Sequence, residues 1–164
     1  MELRDIVSKL EQSNEYKEWR ASHQGAFLAH AFVMLDEPNK NVWQIGYFDD
    51  SNSLMSTFIV NDASIKAIPD QEVLKTEKQI LPLTPDDVQL PVAEALAAAE
   101  KTRIQHYPQE KPLKTFFIIQ NTEAHGQVFN ITFFTASLKT INIKISTKNG
   151  KVEHHSIQAI AAFG

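Results

Sequence analysis

The chain has 164 residues, with 16 basic and 20 acidic side chains, a formal charge of −4 and no cysteine. That composition excludes disulfides, thiolate zinc sites and cysteine nucleophiles, and it carries no basic footprint for nucleic acid or anionic lipid. No stretch approaches the ~20 apolar residues of a membrane-crossing helix, and the charged start MELRDIVSKLEQSNEYKEW lacks the apolar stretch of a signal peptide. The expectation is a soluble protein without membrane insertion, cytoplasmic as given and exported if a leader was removed.

Leu3, Ile6, Val7 and Leu10 recur at the spacing that gathers them on one helical face, which predicts an amphipathic helix over 2–20, with Ser13-Asn14 as its candidate interruption. His23-Gln24-Gly25 ends it. Strands are predicted at 27–35, 42–48, 54–60 and 64–68, separated by the turn signals Asp36-Glu37-Pro38-Asn39, Asp49 to Ser53, and Asn61-Asp62; Pro69 stops the fourth. Residues 69–91 hold four of the seven prolines and read as a connector, with one extended segment at 79–83. The alanine-rich VAEALAAAEKTRIQHY predicts a second helix, closed by Pro108. Strands are then predicted at 114–120, 128–135, 138–146 and 152–160, with Lys148-Asn149-Gly150 as the tight turn before the last.

The clearest run is VFNITFFTASLKTINIKIS, Val128 to Ser146. Val128, Asn130, Thr132 and Phe134 fall on one face of a strand, and Phe129, Ile131 and Phe133 on the other. Ile141, Ile143 and Ile145 alternate with polar residues in the following strand, which makes the two an antiparallel hairpin.

The two halves match. Phe32-Val33-Met34-Leu35 answers Phe116-Phe117-Ile118-Ile119, and Val42 to Phe48 answers Val128 to Phe134 nearly position by position. The offset is about 85 residues, which predicts an internal repeat. The fold class is then α+β: two tandem units, each an N-terminal helix packed on a three- to four-stranded antiparallel sheet. The divisions are a first unit at 1–68, the connector at 69–91 and a second unit at 92–164.

The second unit resembles the PepSY family, a cystatin-like α+β module. The residues that carry the likeness are AEALAAAEK at Ala93 to Lys101, VFNITFF at Val128 to Phe134, and INIKISTKNGKV at Ile141 to Val152. The first unit matches in element order, as a degenerate copy would, with Asn61-Asp62-Ala63-Ser64 in place of the glycine turn. Ser146 or Thr147 stands where the family usually has an acidic residue. The resemblance implies a non-catalytic module that binds or restrains a protein partner, in the manner of a peptidase inhibitor.

No pattern for a catalytic, cofactor-binding or metal site is present: HExxH, GxSxG, P-loop and dinucleotide glycine motifs are all missing. His154 and His155 are adjacent, so a strand sends them to opposite faces and they cannot chelate one ion together. His23, His30, His106 and His125 have no partner at a ligand spacing. Asp36-Glu37, Asp49-Asp50 and Asp86-Asp87 sit in turn-like sequence, where aspartate serves backbone hydrogen bonding. The pairs Tyr47-Phe48, Phe116-Phe117 and Phe133-Phe134 each put an aromatic on both faces of a sheet. Covering of the second face by the sister unit or by a second chain is the favoured expectation. The function expected is that of a non-enzymatic binding protein without cofactor, taking a protein or peptide on a sheet face or edge. Two alternatives stay open: a small-molecule-binding or enzymatic domain with an aromatic-lined pocket, and a structural subunit that homodimerises through sheet faces.

Overall fold

Eight segments of alternating apolar and polar residues become eight strands of a single sheet. The computed structural model describes residues 1–74 and 79–160. Strands β1 (Phe27–Met34), β2 (Trp43–Asp49), β3 (Leu54–Val60) and β4 (Ile65–Glu72) come from the first half of the chain. Strands β5 (Pro112–Thr122), β6 (Gly126–Thr135), β7 (Lys139–Ser146) and β8 (Val152–Ala159) come from the second. Their order is β4-β3-β2-β1-β5-β6-β7-β8, with every neighbouring pair antiparallel. Two four-stranded meanders thus meet along β1 and β5, where Ala31 pairs with Ile119 and Val33 with Phe117. The α+β class stands, and the two sets of strands form one continuous sheet.

Three α-helices lie on one side: α1 (Leu3–Glu11), α2 (Asn14–Ala21) and α3 (Val92–His106). The helix expected over 2–20 is divided in two at Ser13-Asn14, where the sequence places its candidate interruption. The Ser13 hydroxyl donates to the Leu10 carbonyl at 2.6 Å and accepts the Tyr16 N–H at 3.2 Å, closing one helix and capping the next. Leu3, Ile6, Val7 and Leu10 are buried, as their spacing requires. In α3, Ala95 and Ala99 are fully buried, and their small side chains let the helix lie close on β6 and β7. The Glu2 carboxylate accepts the Val92 N–H at 2.7 Å, so the first residues of the chain satisfy an orphan donor at the start of α3.

A second difference concerns β4, which continues through Pro69 to Glu72. β4 is an outer edge, where the N–H that proline lacks can be one that faces away from the ladder. The register shift between Met55 and Thr57 sets Pro69 and Asp70 opposite Ser56 as a bulge, which spares the ladder there. The segment 79–83 forms no strand; its anchor is the Leu83 N–H, which donates to the Leu28 carbonyl at 2.8 Å. Residues 75–78 of the connector and 161–164 of the second unit lie outside the described residues. A short 3-10 turn at Pro85–Asp87 and the bonds from Gln89 and Leu90 to the Thr147 carbonyl then lead the chain across the sheet end into α3. Gly150 turns β7 into β8 at φ +74°, a conformation that favours glycine.

The core lies between the sheet and the helices. Trp43, Ile45, Tyr47 and Phe58 in the first half are buried there, and Phe117, Phe129, Ile131, Ile141, Ile143 and Ile145 in the second. No helix among the described residues is long and apolar enough to cross a membrane.

Candidate binding face

A strand sends alternate side chains to opposite sides of its sheet. Where Phe129, Ile131 and Phe133 point toward the helices, Val128, Asn130, Thr132 and Phe134 point away. In β2, Trp43, Ile45 and Tyr47 face the helices, and Gln44, Gly46 and Phe48 do not. The second side is covered by none of the three helices, whose packing residues all join the core on the first. The sister half lies beside the strands and not over them, so it does not provide the covering that the paired aromatics led us to expect.

The register shows what this open side carries. One row crosses five strands as Phe32, Ile118, Asn130, Lys144 and His154, each paired with the next. The adjacent row is Met34, Phe116, Thr132, Asn142 and Ser156. Both rows run from apolar at β1 and β5 to polar at β7 and β8. At the apolar end the Phe116 ring lies 5.5 Å from Phe32 and 5.8 Å from Phe134, and all three are half-buried. Rings arranged in this way on a surface present a continuous apolar patch. In the middle, the Asn142 amide donates to Asn130 and, at 3.2 Å, to the Thr132 hydroxyl.

At one end of the same face is a cleft of about 430 Å³. Its lining includes His30, Gln120, Asn130 and Lys144, with Ile80 and Leu81 of the connector along one wall. His30 lies over Gly46 of the next strand, where any Cβ would run into the imidazole. Burial pushes the His30 pKa below its ordinary value, which favours the neutral ring. Lys144 is half-buried and makes no ion pair among the described residues. The stacked rings of His125 and His154 are 6.3 Å apart nearby. The His154 pKa is lowered, first by desolvation and then by the charges of Lys144, His125 and His155. The outer end of the row therefore gathers one lysine, Lys144, with the imidazoles of His154 and His125, on a chain that is acidic overall.

Other polar groupings are held by hydrogen bonds and ion pairs within the fold. The Ser56 hydroxyl donates to Asp70 Oδ1 at 2.5 Å, and His23 Nε2 lies 2.7 Å from Asp70 Oδ2. The carboxylate, and not the imidazole, holds the serine, so the three groups do not stand in the serine–histidine–carboxylate order of a hydrolase triad. His23 Nδ1 is 2.8 Å from the Trp19 carbonyl, so both ring nitrogens face acceptors. Burial lowers the His23 pKa, but the bonds to Asp70 and Trp19 outweigh it and the net shift is upward. Burial would raise Asp70, but bonds from Ser56 and His23 hold its pKa below the usual carboxylate range. This is a structural ion pair that pins α2 to β4. Glu110, in the loop between α3 and β5, is buried and accepts from Ser137 of the β6–β7 turn at 2.5 Å.

His154 and His155 point to opposite faces, as adjacency dictates. His155 stacks on His106 with centroids 4.2 Å apart, and its Nδ1 is 2.8 Å from the Tyr107 hydroxyl. Among the described residues no group of three or more His, Asp or Glu side chains is placed to hold a metal ion. The paired acids serve turns: Asp49 accepts the Ser51 N–H at 3.0 Å, Asp36 faces Asn39, Glu37 pairs with Lys40, and Asp86 and Asp87 form the 3-10 turn. Lys144 was not singled out in the sequence, since a lysine between Ile143 and Ile145 is the usual polar partner in an alternating strand. That no acidic residue stands opposite it on β6 or β8 becomes visible only in the cross-strand register, where its partners are Asn130 and His154. On the helix side a second cavity of about 370 Å³ opens between α1 and α3, over Val33, Trp43 and Phe117.

No family model matches the chain, and no curated protein does. A solved structure of a candidate lipoprotein from Clostridium difficile 630 is similar in fold, with a TM-score of 0.57 over 88% of this chain and 91% of that one, at 13% identity.

Proposed function

We propose that the protein is a non-catalytic binding module that receives a protein or peptide partner on its open sheet face. The observation that carries this reading is the apolar patch of Phe32, Phe116 and Phe134 on a side that no helix covers. The polar groupings support it from the other direction, since each is explained by turns, ion pairs or caps. In the same reading the chain is a tandem of two PepSY-like units. Matched positions of the halves support the tandem. Trp43, Ile45 and Tyr47 share a face with one another as Phe129, Ile131 and Phe133 do. If Phe32-Val33-Met34 corresponds to Phe116-Phe117-Ile118, the β1–β5 register has a local two-fold axis at Val33–Phe117, since Phe32–Ile118 and Met34–Phe116 then exchange. Two copies of one unit joined edge to edge would produce that register.

A specific observation favours a second reading. The cavity between α1 and α3 has aromatic walls and lies over that axis, as a small-molecule site in a two-unit protein would. A photo-cross-linking amino acid placed at Phe116, on the open face, and at Glu18, on the exposed helix side, tests the first reading. Adducts in the native host from position 116 alone are expected. Equal labelling from both positions, or none from 116, would overturn it, and an adduct only with a second copy of the chain would favour the structural subunit.

A further inference from the structure

We propose that the open face selects an extended peptide segment that sets an apolar side chain on Phe32 and Phe116 and a carboxylate on Lys144 and His154. The proposal rests on the binding-face reading and names the chemistry of its occupant.

The argument begins with the register. Phe32, Ile118, Asn130, Lys144 and His154 stand side by side on consecutive strands. Phe32 and Lys144 are three strand spacings apart, about 14 Å at ~4.8 Å per strand. An extended chain covers that distance in about four residues. The apolar end is paved by the Phe116 ring with Phe32 and Phe134 on either side of it, which suits one aliphatic or aromatic anchor. Asn130, Asn142 and Thr132 lie between, with amide and hydroxyl groups that match a peptide backbone.

Charge decides the other end. Lys144 of β7, His154 of β8 and His125 of the β5–β6 hairpin converge there, and Lys144 makes no ion pair among the described residues. Glu123 lies on the same hairpin and also lines the cleft, yet Lys144 is not paired with it. Three cationic or cationisable groups on a chain of net charge −4 are a local feature and not a consequence of composition. A half-buried ammonium beside a cleft of about 430 Å³ is complementary to an anion, and a carboxylate is the anion a peptide carries.

The test is a titration of the full chain, labelled with nitrogen-15, by three peptides. They are acetyl-Phe-Ala-Ala-Ala-Asp-amide, its Asn counterpart, and acetyl-Phe-Ala-Ala-Ala with a free C-terminus. The expected result is chemical-shift change at Phe32, Ile118, Asn130 and Lys144, with the Asn peptide binding about fivefold more weakly than the better of the two acids. Whichever acid binds tighter identifies a side-chain or a terminal carboxylate as the source. Lys144→Gln, whose spectrum must show the fold retained, should bring Asp and Asn peptides to equal affinity. If shifts fall on the open face but Asp and Asn bind alike to the parent chain, the carboxylate proposal fails and the binding-face reading survives. If shifts fall elsewhere, or none appear with any peptide, both fail.

Discussion

Phe133 and Phe134 are consecutive residues of one strand with opposite surroundings. Phe133 is buried under the helix layer, where the Arg103 guanidinium lies over its ring at 5.8 Å. Phe134 is half-buried on the open side, 5.8 Å from Phe116. The same contrast holds between Phe117, which is buried, and Phe116, which is half-buried, whereas Tyr47 and Phe48 are both buried. Composition does not separate the two faces, since both are rich in aromatics. What separates them is what lies opposite: three helices on one side, and on the other no helix. Phe133 and Phe117 on the covered face are part of the core, while Phe134 and Phe116 on the open face stay partly exposed to solvent.

The contrast predicts unequal costs within one strand. Phe129→Ala on the covered face should destabilise by about 3–5 kcal/mol, while Phe134→Ala on the open face should cost about 1 kcal/mol. Urea unfolding followed by far-UV circular dichroism measures both. Equal losses would mean that something covers the open face, and the comparison between the two sides would collapse.

Gly46 sharpens the comparison from the open side, because its missing side chain makes room for His30. Gly46→Ala should destabilise by about 1–3 kcal/mol through crowding against the ring. Combining it with His30→Ala should recover part of that loss. A double-mutant cycle with no coupling would show that the two do not meet as described.

The smallest expected effect, about 1 kcal/mol, comes from two histidines that titrate in opposite senses. The His23 pKa is raised in the folded protein, after burial is outweighed by Asp70, so its contribution is fully present below pH 6.5 and is lost as pH rises through the folded value. The His30 pKa is lowered by burial, so the unfolded chain takes up its proton first and stability falls as pH drops below 6.5 toward the folded value. Relative to the parent chain, His23→Gln should flatten the stability curve above pH 6.5 and His30→Gln should flatten it below. Midpoints of urea unfolding between pH 5 and 9 are the readout, and a change in the same window for both variants would contradict the assignment.

Much of this molecule was legible from residue order. The strand VFNITFF shows its two faces by alternation, and each residue lies on the side assigned to it. The alanine-rich helix begins at Val92 and ends at His106, close to the limits set by Pro91 and Pro108. Ser13-Asn14 is the candidate interruption in a long amphipathic pattern, and two hydrogen bonds of Ser13 make it a cap between helices. One local reading failed for an identifiable reason. Pro69 looked like a stop, but a proline on an outer edge opposite a bulge does not end a strand. The lysine and histidine grouping on the open face was not legible at all, because Lys144, His154 and His125 come from three segments whose neighbourhood depends on pairing.

Alternation, turn residues and alanine content by themselves determined the strands, their faces and the helix that covers the second half. They act through local geometry: a period of two specifies a side, and a proline or glycine specifies a boundary. Only the tertiary structure decided that β1 pairs with β5, that the two meanders form one sheet, and that all three helices lie on the same side of it. Period-two alternation names a face but not a neighbour, and which edge meets which is settled by packing between residues far apart in the chain.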